Sequence, residues 1–126
     1  SVVDAMNGGA DSCAFFVSSL LVIVKKASSM HGTIESTLKD LKRNDWHAVD
    51  SHDLQPGDVI VWEAQLFEDK MQEHIGFYVG KGRAVSTSMQ EGCVIEHDAL
   101  FDGARRITEV YRSIKQDIEE VSVRSE

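Results

Sequence analysis

The apolar run SCAFFVSSLLVIV, residues 12 to 24, constrains the fold of this chain more than any other feature. Its side chains are apolar nearly all round a helix, which is the pattern of a buried helix rather than a surface one. The run is shorter than the roughly 20 residues that a membrane helix needs, and it contains Ser18 and Ser19, so we expect no membrane span. With Asp11 or Ser12 as the N-cap, the sequence predicts a central helix of about four turns.

The rest of the chain predicts a second helix and then a series of strands. The segment IESTLKDLKRN, residues 34 to 44, repeats apolar side chains at helical spacing and indicates an amphipathic helix. QPGD at residues 55 to 58 is typical of a type II turn and leads into the strand DVIVWE. HIGFYVG at residues 74 to 80 alternates as a strand does, and residues 64 to 73 before it are expected to form a loop. The other predicted strands are RAVSTS, CVIEH and RITEVYRSI, at residues 83 to 88, 93 to 97 and 106 to 114. Helices followed by an antiparallel sheet make the predicted fold class α+β.

Length and charge limit what the chain can do. Its 126 residues are expected to form a single domain, residues 1 to 126, with room for one site. The 21 acidic and 13 basic residues give a formal net charge of −8, which disfavours nucleic acids and anionic membrane surfaces as partners. No signal-peptide pattern opens the sequence, so localisation and export stay open, as does the oligomeric state.

Cys13 is the candidate catalytic nucleophile, because of its position at the start of a predicted helix. A thiol in the first turn of a helix lies beside unpaired backbone N–H groups and the positive end of the helix dipole, and both favour the thiolate. The alternative is a packing role, because cysteine is among the most buried residue types and an apolar helix follows. Cys13 and Cys93 are too few for a disulfide framework, although a single bridge between them stays open.

His74 is the candidate general base for such a cysteine. It begins an alternating strand, and Gly76 on the same face leaves room beside the imidazole and for a close-approaching helix. An imidazole titrates near neutrality, which suits a group that takes a proton from a thiol. The alternative is an ordinary exposed histidine after the acidic segment FEDKMQE.

Two residues are candidates for the third group, which would orient the imidazole of His74. The predicted hairpin places His74 opposite residues 86 to 88, and the following strand brings His97 nearby. His97 is the better chemical candidate and Ser86 the weaker one. Either could instead be an ordinary surface residue.

The sequence indicates no metal site and no cofactor. No pair of histidines or cysteines has the spacing of an H-E-x-x-H or CxxC motif. We expect the two tryptophans to anchor the core of the sheet rather than stack on a ligand. The residues considered as metal ligands are His31, His47, His52, His97, Asp98 and Asp102, and the tryptophans are Trp46 and Trp62.

The order of these motifs resembles that of a known enzyme family. After a pair of glycines come C-A-x-F-V, L-x-P-G-D-V-I-x-W, H-I-G-F-Y-V-G-K-G and A-V-S-x-S. This series is similar to the NlpC-like cell-wall cysteine peptidases, which have a papain-like core. The resemblance covers about residues 8 to 112 and leaves a charged tail, residues 113 to 126.

The resemblance implies a function and the residues that perform it. Cys13 matches the nucleophile of the family and His74 its base, while Ser86 stands where the family more often has His or Asn. No tyrosine precedes Cys13, where many members have one. The implied activity is hydrolysis of amide bonds in cell-wall peptides through a thioester, outside the cytoplasm. A catalytically degenerate binding module, and an acyltransferase or thioesterase with the same dyad, are the alternatives.

Overall fold

The structure is a computed structural model that describes residues 12–88 and 91–114. Two helices come first in this part of the chain, and six strands follow them. The strands form one antiparallel sheet in the order β1-β6-β2-β3-β4-β5. The elements are α1 Ser12–Ile23, α2 Ile34–Arg43, β1 Trp46–Ala48, β2 Val59–Phe67, β3 Lys70–Gly80, β4 Arg83–Ser88, β5 Cys93–Asp98 and β6 Ile107–Ser113. The predicted α+β class is confirmed. The predicted Asp11 cap and residues 115 to 126 of the predicted tail lie outside the described residues, and Ser113, the first residue of that tail, belongs to β6.

Helix α1 is shorter than predicted, with 12 residues and therefore about three turns. It ends because Lys25 takes a left-handed conformation, with φ of 62°. The N–H of Lys26 then donates to the carbonyl of Leu21 at 2.8 Å and that of Lys25 to the carbonyl of Val22 at 3.0 Å. This pair of bonds is a Schellman motif, which closes a helix even where the left-handed residue is not glycine. No described helix is long and apolar enough to cross a membrane.

Each face of the sheet carries its own buried cluster. We call the side on which α1 packs the helix face and the opposite side the far face. The helix-face cluster joins residues of α1, including Cys13 and Val17, to sheet residues such as Val61 and Ile75. The far-face cluster centres on Trp62, which is fully buried and donates from Nε1 to the carbonyl of Ala99 at 2.7 Å. The other tryptophan is buried on the helix face, so both anchor the core of the sheet as predicted.

The connection between β2 and β3 differs from the prediction. Residues 64 to 73 are not a loop: β2 continues to Phe67, and β3 begins at Lys70. Only Glu68 and Asp69 form the turn, with φ of 47° and 67°, which is the backbone of a type I′ hairpin. The sequence signal was weak because this turn lacks the usual Asn-Gly and because both strands are exposed there, so no apolar alternation marks them.

The predicted QPGD turn is confirmed and is tied to the last strand. Gly57 has a φ of 94°, and the N–H of Asp58 donates to the carbonyl of Gln55 at 3.0 Å. The buried carboxylate of Asp58 accepts two hydrogen bonds of 2.8 Å from the guanidinium of Arg112 on β6. A buried charge needs such a partner, so this ion pair holds the start of β2 in place.

The segment between α1 and α2 is held by a second buried carboxylate. Asp40 accepts hydrogen bonds from the backbone N–H groups of Ser28 and Ser29 and from Nε2 of His31, which lies 2.7 Å away. Burial raises the pKa of Asp40, but these bonds more than offset it, so the net effect is a lowered pKa. The network fixes the path of the chain out of α1.

Candidate active site

Cys13 lies in the first turn of α1, and its side chain is buried with 3% exposure. The preceding Ser12 donates from Oγ to Oγ1 of Thr87 on β4 at 3.4 Å. Phe77 faces Val85 across β3 and β4, and Cβ of Ser86 lies 2.8 Å from where a Cβ of Gly76 would stand. The start of α1 therefore lies at the level where β3 passes through His74 and Ile75.

No disulfide links the two cysteines in the described residues, since Cys13 is buried and Cys93 is exposed on β5. The single bridge that the sequence left open is therefore not formed in this structure. Both cysteines are therefore unbridged.

His74 lies on the far face, directly opposite Trp62 of β2. The centroids of the two rings are 5.4 Å apart, and that of Phe101 is 6.0 Å from His74. Burial, and to a lesser degree the charges of Arg105 and His97, lower the pKa of His74 to about 3. The imidazole is thus neutral near pH 7. It has no hydrogen-bond partner among the residues that the structure describes.

Gly76 has a different role from the predicted one. A Cβ at this position would lie 2.5 Å from the carbonyl oxygen of Val85 and 2.8 Å from Cβ of Ser86. Real Cβ atoms do not approach backbone so closely. The glycine therefore permits the close approach of β4 to β3, and what it admits is a strand rather than a helix.

The two candidates for the third group contact each other. Nε2 of His97 lies 2.7 Å from Oγ of Ser86, and Nδ1 lies 2.8 Å from the carbonyl oxygen of Asp98. Since the carbonyl can only accept, Nδ1 carries the proton and Nε2 accepts from the hydroxyl of Ser86. Burial lowers the pKa of His97 and outweighs the opposite effect of the Asp98 carbonyl. Ser86, His97 and His74 thus share the far face, but neither candidate donates to or accepts from His74.

Phe101 is a site residue that the sequence did not reveal. It lies between β5 and β6 and stacks on His97 with a centroid distance of 4.0 Å and an interplanar angle of 19°. Its edge also meets Trp62 at 5.1 Å. The backbone of Phe101 is left-handed, with φ of 51°, which is unusual for a bulky residue. Its ring contributes to the burial of both histidines.

Arg105, on the same connection, is the second residue that the sequence did not reveal. Its Nε donates to the carbonyl of Glu63 at 2.8 Å, and its Nη2 donates to the carbonyl of Gln72 at 2.7 Å. These bonds fix the half-buried guanidinium at the irregular end of the β2–β3 pairing. Burial lowers the pKa of Arg105, and the negative charges of Cys13 and Glu63 partly offset this effect.

Arg105 is the group that acts electrostatically on both predicted catalytic residues. It favours a negative charge at Cys13 and disfavours a positive charge at His74. Cys13 itself belongs to the helix-face cluster, whereas the ring of His74 contacts the far-face tryptophan. The two side chains therefore lie on opposite faces of the sheet, although the charge of Arg105 acts on both of them. No sequence signal marked Arg105, because its segment lacks periodicity.

The described residues bring together no group of three or more side chains that could hold a metal ion. His31 and His52 each pair with an aspartate instead, at 2.7 Å and 2.9 Å. When the sequence is compared with models of known protein families and with curated proteins, it matches none of them.

Proposed function

We propose that this protein is a cysteine hydrolase that cleaves amide or peptide bonds, with Cys13 as the nucleophile and His74 as its proton-transfer partner. The observation that carries the proposal is the electrostatic action of the anchored guanidinium of Arg105 on both Cys13, in the first turn of α1, and His74 on β3. The motif order that resembles the NlpC-like peptidases, with their papain-like core, supports the same assignment.

Two features of the site favour the thiolate of Cys13. The first turn of a helix offers backbone N–H groups and the positive end of the dipole. Arg105 adds a full positive charge whose interaction with a Cys13 thiolate is favourable. Because the pKa of His74 is only about 3, the counter-charge of the thiolate is the guanidinium and the helix start rather than an imidazolium.

The chemistry follows from these groups. The thiol of Cys13 gives its proton to the neutral imidazole of His74 as the sulfur bonds to the carbonyl carbon of the substrate. The oxyanion accepts hydrogen bonds from N–H groups at the start of α1. The C–N bond then breaks as His74 returns a proton to the departing amine. Water attacks the resulting thioester, which releases the acid and restores the thiol.

His74 must come within hydrogen-bond reach of the sulfur for these transfers. Its ring is half-buried, and no described residue holds it by a hydrogen bond, so packing against Trp62 and Phe101 sets its position. The side chains of Cys13 and His74 lie on opposite faces of the sheet, so the ring of His74 has to leave its packing against Trp62 to reach the sulfur. For the substrate, the resemblance favours cell-wall peptides outside the cytoplasm.

The experiment that tests this function is amine release from muropeptides and from a panel of peptide amides, thioesters and acyl donors. Cys13→Ala is expected to abolish turnover, and Cys93→Ser, the matched control at the exposed cysteine, is expected to retain it. Undiminished turnover by Cys13→Ala would rule the proposal out. The products would also separate hydrolysis from acyl transfer.

A binding module without turnover is the second candidate, and one observation favours it. Both ring nitrogens of His97 are engaged, by Ser86 and by the Asp98 carbonyl, so no hydrogen bond in the described site orients the ring of His74. Such a module would bind muropeptides in calorimetry without releasing products. Its Cys13 would also titrate like an unactivated thiol.

A further inference from the structure

The outer part of the β2–β3 hairpin, residues 63 to 73, projects past the rest of the sheet, and we call it the arm. Within the described residues, β6 pairs with β2 only as far as Trp62, and β4 pairs with β3 only from Phe77 onward. Glu63 still donates its N–H to the carbonyl of Arg106 at 2.9 Å, and from Gln65 to Gln72 the described strands pair with each other. The arm is attached to the candidate site, because Gln65 donates to the carbonyl of Ala104 at 2.8 Å and Gln72 accepts from Arg105.

One face of the arm continues the side of the sheet on which Cys13 lies. Side chains alternate along β3, so Glu73 and Met71 share the helix face with Ile75. Leu66 lies directly opposite Met71 and completes an apolar pair. The two side chains are 69% and 65% exposed, which is far more than apolar residues of a strand usually are.

The arm is also strongly acidic. The carboxylates of Glu68, Asp69 and Glu73 are exposed and form no ion pair with any described residue. Lys70 is the one basic residue among residues 63 to 73. An apolar pair bordered by uncompensated carboxylates complements a ligand that carries both an apolar and a cationic side chain. A nucleic acid or an anionic lipid surface would be repelled.

We infer that the arm is the substrate-docking surface of this site, and that its occupant is an extended peptide with a basic side chain against Glu73 and an apolar side chain against the Leu66–Met71 pair. This inference rests on the proposed function for the position of the bond that is cleaved. Along a strand, Glu73 lies about 7 Å and Met71 about 13 Å from Ile75. An extended peptide has the same rise, so its basic and apolar side chains occupy alternate residues.

Binding to Cys13→Ala protein tests this inference without any turnover. The probe is a fluorescein-labelled Gly/Ser peptide that carries a lysine and, two residues further on, a leucine. Matched probes replace the lysine by glutamate or the leucine by serine. We expect the parent probe to bind at least roughly tenfold more tightly than either replacement, as measured by fluorescence anisotropy.

Variants of the arm locate the contact. In the Cys13→Ala background, the double change Leu66→Ser and Met71→Ser is expected to lose the preference for leucine, and Glu73→Lys the preference for lysine. All three side chains are exposed, so the fold is retained, and Val94→Ser on exposed β5 is the matched control. Equal affinity for all probes, or affinity unaffected by the arm variants, would overturn the inference.

The outcome also separates the two proposals. Probe binding that depends on the arm, together with no turnover by the wild type, would refute the hydrolase function and leave the docking surface standing. Turnover that is indifferent to the arm variants would refute the docking surface and leave the hydrolase standing. In both cases circular dichroism confirms that each variant is folded.

Discussion

Gly76→Ala is the substitution whose effect follows most directly from the structure. The added methyl carbon would lie 2.5 Å from the carbonyl oxygen of Val85, 2.8 Å from Cβ of Ser86 and 3.1 Å from Cζ3 of Trp62. Ordinary contacts begin at about 3.4 Å, so β4 would have to retreat by nearly 1 Å from β3. Trp62 is fully buried and cannot yield in the opposite direction without opening the far-face cluster.

The expected cost of this overpacking is about 1–3 kcal/mol in the free energy of unfolding. At roughly 4 °C per kcal/mol for a domain of this size, Tm falls by about 4–12 °C. Thermal unfolding followed by circular dichroism measures the change, with a urea titration as the independent check on the free energy. Val79→Thr, at an exposed position of the same strand, is the control and should stay within about 0.5 kcal/mol of the wild type.

A wild-type Tm for Gly76→Ala would refute the close packing of β3 on β4. That packing also sets the position of Ser86 beside His97. The reasoning about the candidate third group would then fail together with the prediction of stability.

Three further predictions concern charge. Arg105→Gln should raise the pH at which the Cys13 thiol becomes reactive toward iodoacetamide, whereas Arg105→Lys, which keeps the charge, should raise it less; identical pH profiles would contradict the role of the guanidinium. Asp40→Asn should lower the free energy of unfolding by about 1–3 kcal/mol in urea titrations near pH 7, because His31 and two backbone N–H groups lose their carboxylate. In the wild type, the contribution of Asp40 to the free energy of unfolding is present above its unfolded pKa and is lost as pH falls through its lowered folded pKa. His74 has a folded pKa of about 3 against an ordinary value of 6.5, so the unfolded chain binds one more proton than the folded chain between these pH values. The free energy of unfolding should therefore fall as pH falls from about 6.5 toward 3. His74→Gln should flatten this part of the stability profile in urea titrations, and an unchanged slope would contradict the burial of the ring.

The main elements of the fold could be predicted because each has a strong local signal. The apolar run predicts α1, and the Pro-Gly pair of QPGD predicts the turn before β2. The sequence does not predict the end of α1 correctly, because a lysine rather than a glycine takes the left-handed position that closes the helix. The sequence predicts a loop for the arm because its strands are exposed on both faces and leave no periodic pattern.

The candidate site was predictable only where local context sufficed. The position of Cys13 at the head of a helix and that of His74 on a strand follow from the chain itself, but the strand begins at Lys70 rather than at His74. The contact between Ser86 and His97 depends on the register of β4 against β5. The sequence between these two strands has no motif that fixes the length of the turn, so it does not specify this register. Phe101 and Arg105 come from an irregular connection whose path is set by tertiary packing, and no pattern of residues marks either of them.

The central claim is that Cys13 is an activated nucleophile, and the pH dependence of its alkylation tests this claim most directly. Peptide-resolved mass spectrometry of one iodoacetamide reaction gives the rate at Cys13 and, as the internal control, at Cys93. The midpoint of each pH profile reports thiolate formation and does not depend on how accessible the sulfur is. The account predicts a midpoint for Cys13 clearly below the ordinary thiol value of about 8.5 and below that of Cys93. A midpoint at or above that of Cys93 would contradict it.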